Sequence, residues 1–320
     1  MPFNYFKKRK YKKITDVAKE LLEQGKIREA IEKFEEAFEI IININDFIRV
    51  ACLYIDLKEY DKAIQIFKHI INHCEENEIE INGICDVYFG LAVAYDSLRQ
   101  ITLAIENYEQ AIKHGILAPE CYYFLACLYD DMDLGIEDPK TKKALEYYEK
   151  AVELDNEYLF AYVNLGAMYA KFKENDKCLE CFLKAKELDK DHDTNIDYNL
   201  GIAYASRGDF EKAEYYYLEE LKTEDPIISA YYNLGILYKD YKHYDKAKYY
   251  YLKTIEIDKD EYNAWFNLAC LYSIQNDYEN AYQCFTYLKY KMKELKKTIE
   301  NDEELVGFRS SEYMKKLEEF

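Results

Sequence analysis

Eight times along the chain an apolar residue is followed by a small one and then, four residues after the first, by Tyr or Leu. The frames start at Val17, Val50, Leu91, Leu125, Leu165, Leu200, Leu234 and Leu268 and close at Leu21, Tyr54, Tyr95, Tyr129, Tyr169, Tyr204, Tyr238 and Tyr272. Successive starts lie 33, 41, 34, 40, 35, 34 and 34 residues apart. Residues four apart share one face of a helix, so each frame is a helical stripe. A second stripe follows every frame, a small residue with an aromatic four on: Ala30/Phe34, Ala63/Phe67, Ala104/Tyr108, Ala144/Tyr148, Cys178/Phe182, Ala213/Tyr217, Ala247/Tyr251 and Ala281/Phe285. The small side chain lets two helix backbones approach, and the aromatic fills the space beside that contact. Two stripes per period describe one repeated unit, not a globular domain with a buried active site.

Only 4 Pro and 10 Gly, with 33% charged and 49% hydrophobic residues, favour helices over a turn-rich β protein. Tyr occurs 35 times, which suits thin helical layers because a phenol ring packs while its hydroxyl reaches water. The net charge of −19 makes duplex nucleic acid or an anionic membrane a poor partner for the body of the chain. Lys7–Lys13 (KKRKYKK) runs against that balance with six positive charges; removing them leaves −19 − 6 = −25 for the rest. Residues 1–10 are read as a basic, solvated tail ahead of the first helix, with a surface tether to acidic lipid or RNA as the alternative. No apolar run is long enough to span a bilayer and no secretory signal follows Met1, so stable membrane insertion is not expected. Nine Cys without disulfide-framework spacing fit free thiols and a cytoplasmic location.

The stretches Tyr162–Ala185, Tyr231–Tyr251 and Trp265–Phe285 carry a specific resemblance to tetratricopeptide repeat proteins, and the likeness extends over residues 11–293. It implies an all-α, right-handed α–α superhelical solenoid of about eight helix–turn–helix repeats. The Pro usual at the inter-repeat turn is missing from ELDN (153–156), ELDK (187–190) and EIDK (256–259), which predicts less rigid turns there. The 41-residue step predicts longer helices or a loop around His73–Gly83. The 40-residue step comes from the insertion 130–143, and that unit is similar to the Sel1-like variant of the family. Gly25 and Gly208 are placed to close first helices, and Asp209 and Asp277 to cap second ones. Leu288, Met292, Leu295 and Ile299 predict an apolar stripe on a final helix, and residues 294–320 read as a C-terminal cap.

Each first helix has a second apolar face: Ile48, Phe89, Tyr123, Val163, Tyr198, Tyr232 and Phe266 two residues before the marker, with Ala167, Ile202, Ile236 and Cys270 among those two after it. A helix apolar on two faces is buried on both or lines something. The resemblance implies that this face lines a concave groove for ligands. Asn164, Asn199, Asn233 and Asn267 stand just before the marker in four successive repeats; carboxamides in a row can pair with the backbone of an extended peptide, or simply bond to the adjacent helix. The candidate groove set is therefore Asn164, Asn199, Asn233, Asn267, Tyr123, Tyr198, Tyr232, Phe266, Ile202 and Ile236. A basic carboxylate clamp is not supported, and Lys171 and Lys239 read as solvated. Cys178-x-x-Cys181 lies inside a second helix and reads as packing, His69 and His73 as a surface pair, and Asp131, Asp133 and Asp138 as a solvated loop. No phosphate-binding loop, nucleophile elbow or paired catalytic motif occurs, so neither catalysis, cofactor nor metal is expected. The expected function is a scaffold binding a peptide segment of a partner protein. The alternative is a peptide-responsive sensor that acts through a separate effector protein.

Overall fold

The computed structural model describes residues 2–41, 43–76, 83–190 and 194–319, and every regular element among them is helical. Eight helix pairs run in order: α1 (Pro2–Glu23) with α2 (Ile27–Phe38), α3 (Ile44–Asp56) with α4 (Tyr60–Glu76), α5 (Ile84–Ser97) with α6 (Ile101–Lys113), α7 (Pro119–Asp130) with α8 (Pro139–Leu154), α9 (Leu159–Lys171) with α10 (Asn175–Leu188), α11 (Ile196–Ser206) with α12 (Phe210–Glu220), α13 (Ile228–Asp240) with α14 (Tyr244–Ile257), and α15 (Tyr262–Ile274) with α16 (Tyr278–Leu288). After them come α17 (Leu295–Asn301), a 3-10 turn at Glu303–Leu305, α18 (Val306–Arg309) and α19 (Glu312–Glu319). The chain divides into two compact units, Met1–Ala161 and Tyr162–Phe320.

The marker residues form the core of each unit. In the first, Ala30, Phe34, Ala63, Phe67, Leu125 and Ala144 are fully buried; in the second, Leu200, Ala213, Leu234, Ala247 and Tyr251 are. The glycine markers show why the residue there must be small. A Cβ built on Gly166, Gly201 or Gly235 would run into the ring of Phe182, Tyr217 or Tyr251, the aromatic of the same repeat's second helix. The ring sits directly over the backbone it was expected to fill beside.

All first helices but α7, which runs into the insertion, end by one device. The frame-closing residue, Tyr in most repeats, accepts a backbone hydrogen bond from five residues on: Glu59 to Tyr54 at 2.8 Å, Glu174 to Tyr169 at 2.8 Å, His243 to Tyr238 at 2.8 Å. The residue in between is left-handed, which closes a Schellman turn. Gly25 (φ 73°) and Gly208 (φ 74°) take that place as expected, but Lys58, Arg99, Lys173, Lys242 and Asn276 take it in other repeats at φ 58–62°. A Cβ in this region costs about 1–2 kcal/mol, partly offset by the backbone entropy that glycine would lose. Lys173→Gly and Lys242→Gly, both at exposed positions, should therefore each stabilise by about 0.5–1 kcal/mol. A urea titration reads this as a higher midpoint, and a lower midpoint at both sites would mean that the turns carry no such strain.

A second regularity escaped the sequence reading. The lysine just before the second-helix marker lies over the frame-closing tyrosine: Lys62 over Tyr54 at 5.0 Å, Lys177 over Tyr169 at 4.9 Å, Lys212 over Tyr204 at 4.9 Å and Lys246 over Tyr238 at 4.6 Å. Each is a cation–π contact tying the two helices of a repeat across their turn. Asp209 and Asp277 cap α12 and α16 by accepting from the backbone of Lys212 and Asn280, both at 3.3 Å.

The inter-repeat turns replace the missing proline with aspartate. Asp155 accepts from the Glu157 N–H at 2.9 Å and Asp258 from the Asp260 N–H at 2.8 Å, while Asp189 takes both the N–H and the hydroxyl of Thr194 at 3.2 and 2.6 Å. These side-chain closures hold the turn where a fixed proline φ otherwise would. The insertion starts α8 through Pro139, with Asp138 accepting from the Lys140 N–H at 2.8 Å. At the 41-residue step α4 is a long second helix of 17 residues; residues 77–82 lie outside the described residues.

Two expectations are corrected. The basic segment does not precede the first helix but is part of it, because α1 begins at Pro2 and nothing in KKRKYKK breaks a helix. The stripe Leu288, Met292, Leu295 and Ile299 is not on one helix: α16 ends at Leu288 and α17 starts at Leu295, although Leu288, Leu295 and Ile299 are all buried. The chain turns between them and then folds back, so that Leu305 and Phe308 are also fully buried and the Phe308 ring lies 4.8 Å from Phe285.

Candidate functional site

Tyr123 belongs to the first unit. It is half-buried on α7, 6.1 Å from the ring of Tyr148 on α8 and 5.0 Å from Tyr158. Burial pushes the Tyr158 phenol up to about 12, so that hydroxyl stays neutral in ordinary conditions.

The other nine candidates lie in the second unit, on α9, α11, α13 and α15. The aromatic face is regular: Tyr198 sits 6.2 Å from Tyr217, Tyr232 sits 6.2 Å from Tyr251 and Phe266 sits 5.9 Å from Phe285, each against its own repeat's second helix. These rings are half-buried, so one side packs and the other remains at the surface. The asparagines are coupled to them. The Asn267 amide donates to the Tyr232 hydroxyl at 2.8 Å and the Asn233 amide to the Tyr198 hydroxyl at 3.3 Å. Each bond joins neighbouring first helices 35 residues apart. Burial raises the Tyr232 phenol, and the Asn267 amide works against that shift by donating to its oxygen.

The four asparagines are therefore not equivalent. Asn233 and Asn267 each tie one N–H into the stack. Asn199 has Val163 where the others have a tyrosine, so no hydroxyl is there to accept, and its side chain makes no hydrogen bond among the described residues. Asn164 is half-buried and engaged. Beside Asn199 the short side chains on α9 leave a cavity of about 250 Å³, lined by Ala167, Phe182, Asn199, Ile202, Ala203 and Ser206. Ile202 opens onto it at 36% exposure, and Ile236 is half-buried one repeat on.

Tetratricopeptide repeat profiles match residues 47–72, 86–113, 139–158, 161–192 and 228–261, with others over 198–227 and 250–283, together more than half of the chain. The chain belongs to the tetratricopeptide repeat family. It is similar to a TPR repeat-containing protein of Methanocaldococcus jannaschii, 23% identical over 222 residues that make up 63% of this chain and 37% of that one. It is also similar to the Hsp70-Hsp90 organising protein of Plasmodium falciparum, 31% identical over 96 residues, 29% of this chain and 17% of that one. The chain thus spans well under half the length of these relatives. Among solved structures, the C-terminal part of a TPR repeat-containing protein from Cytophaga hutchinsonii aligns with a TM-score of 0.55 at 20% identity, covering 79% of this chain and 99% of that one. That likeness shows the fold, a helical solenoid of tetratricopeptide repeats.

Lys239 is the residue of this repeat face that sequence reasoning misplaced. It is not solvated: its side chain is 14% exposed and its ammonium holds both oxygens of Glu304 at 3.0 and 2.9 Å. Ser273 donates to the Glu304 carbonyl at 3.2 Å, and the Cys270 thiol faces Asp302. The C-terminal segment thus lies against Lys239 at the end of α13 and against Cys270 and Ser273 on α15. Nothing local signals this, since Lys239 and Glu304 are 65 residues apart. Cys270, Asp302 and Glu304 are the one group among the described residues with metal-ligating atoms all within 4.8 Å of one another. Lys239 already neutralises Glu304, and burial pushes the Cys270 thiol up, so the set is a poor cation trap. Cys178 and Cys181 are both buried in the core. His69 and His73 stack at 6.3 Å with Phe47 5.9 Å from His69. No helix among the described residues is long and apolar enough to cross a membrane.

Proposed function

We propose that the chain is a non-enzymatic interaction scaffold that takes an extended peptide segment of a partner protein along α11 and α13. The observation that carries this reading is Asn199, a half-buried carboxamide with no hydrogen-bond partner for its side chain among the described residues, which lines a mainly apolar cavity of about 250 Å³. A carboxamide offers a donor and an acceptor at the spacing of a peptide unit, so it binds backbone irrespective of side chain. The cavity beside it, with Phe182 and Ile202 in its lining, takes one apolar side chain. Asn233 and Asn267 play a supporting part: their bonds to Tyr198 and Tyr232 hold the rings on which the segment lies. The name of the Plasmodium relative, an organising protein for two others, agrees with a scaffold reading.

The test is a peptide selected on the folded chain from a randomised displayed library. Asn199→Ala should weaken its affinity about tenfold, the worth of one peptide-like hydrogen bond at a shielded site, and Ile202→Asp by more. Both positions are outside the packed core, so helicity and melting temperature should hold. Affinity unchanged within twofold for both variants removes this site.

A further inference from the structure

The first helix carries a surface that the peptide reading does not use. α1 buries Thr15 and Ala18 against its own unit, and the Tyr11 hydroxyl donates to the Asp46 carboxylate on α3. On the opposite side stand Phe6, Arg9, Lys10 and Lys13, at i, i+3, i+4 and i+7, all exposed. Phe6 is 65% exposed, and Val17, one turn beyond Lys13 on the same side, is 39% exposed. Lys7, Lys8 and Lys12 flank this strip and are exposed too. None of Lys8, Arg9, Lys12 and Lys13 has an ion-pair partner among the described residues. Glu36 lies close enough to Lys10 to feel its charge, but it is paired first with Lys33 at 2.8 Å. Acidic residues appear on α1 only from Asp16 onward, at Asp16, Glu20 and Glu23, so the strip ends there.

We propose that this face of α1 docks the protein on an anionic phospholipid surface. Charge complementarity is the first argument. Six cations within seven residues stand against a remainder of −25, and a helix of that length spans about 10 Å, one Debye length at about 0.1 M salt. The strip can therefore be attracted to a surface that repels the body of the chain. Phe6 is the second argument. An exposed ring beside a cation row finds apolar surroundings at the boundary between headgroups and acyl chains, whereas the phosphates of a nucleic-acid duplex offer it nothing to bury against. Contact of this kind is peripheral and reversible, without a spanning segment.

The experiment is co-sedimentation of the full chain with vesicles of dioleoylphosphatidylcholine, alone or with 30 mol% dioleoylphosphatidylglycerol. Binding should require the anionic lipid and fall steeply between 50 and 300 mM NaCl. Each cation removed should weaken it about fivefold, so Arg9→Gln, Lys10→Gln and Lys13→Gln together should weaken it about a hundredfold. Phe6→Ser should weaken it further at unchanged charge. All four positions are exposed, and circular dichroism checks that the fold is retained. Equal recovery with both vesicle types, or a triple variant that binds like the parent, overturns the proposal. So does a strip-dependent preference for single-stranded polyuridylate over the anionic vesicles, or a strip-dependent dimer in sedimentation velocity without vesicle binding.

Discussion

Tyr251→Ala should destabilise the C-terminal unit by about 3–5 kcal/mol, whereas Tyr251→Phe should leave it unchanged or raise its stability by about 1 kcal/mol. The ring is fully buried, lies over Gly235 where no Cβ fits, and packs 6.2 Å from Tyr232. Truncation therefore opens a cavity between two backbones that cannot close without moving α13 against α14. The hydroxyl is another matter. It is buried without a hydrogen-bond partner among the described residues, so it carries a desolvation cost that phenylalanine would not. Phe34, Phe67, Phe182 and Phe285 hold the same position in other repeats, which shows that the site accepts the smaller ring. Urea denaturation of the two variants reads both effects. A loss above about 1 kcal/mol for Tyr251→Phe would mean that the hydroxyl is bonded after all.

Phe308→Ala should cost about 3–5 kcal/mol and fray the end of the stack, while Glu304→Gln should cost no more than about 1 kcal/mol. Leu305 and Phe308 are fully buried, and the Phe308 ring, 4.8 Å from Phe285, covers apolar surface that the last repeat would otherwise show to water. Arg309 fixes the segment by donating to the carbonyls of Ile299 and Asp302 at 2.8 and 2.5 Å. The Lys239–Glu304 pair is better formed than most, but Glu304 remains 39% exposed, so solvent screens it and it cannot rival a buried ring. Thermal melting of both variants ranks the two contributions. A larger loss for Glu304→Gln would make the segment an electrostatic latch rather than an apolar cap.

How far the site could be read from the sequence depends on residue separation. Asn199, Asn233 and Asn267 stand out because they recur at one place in the repeat, and their helix face follows from the 3.6-residue period. Which of them is uncommitted does not follow from that period. It depends on the residue two before the marker of the preceding repeat, Tyr198 for Asn233 and Tyr232 for Asn267 but Val163 for Asn199. That pairing was visible in principle as Tyr198 with Asn233 and Tyr232 with Asn267, once neighbouring first helices are known to touch. Lys239 offered no such signal. No other repeat has a basic residue in its row, which holds Leu22, Ile55, Asp96, Asp130, Ala170, Ala205 and Ser273, and its partner comes from beyond the repeats.

The sequence by itself determined the repeating unit, the helix pairs and the core. Small residues and rings at fixed spacing can bury themselves only by stacking one pair on the next, and that pattern is local and recurs eight times. Tertiary structure alone decided three things. Aspartates rather than prolines close the inter-repeat turns, because the acceptors meet backbone N–H groups only once the helices are placed. The C-terminal segment returns to cover Phe285 and engage Lys239, because the last repeat lacks the neighbour that would otherwise bury it. One asparagine is left open beside a cavity, because hydrogen bonds between repeats depend on pairs of residues that only folding brings together.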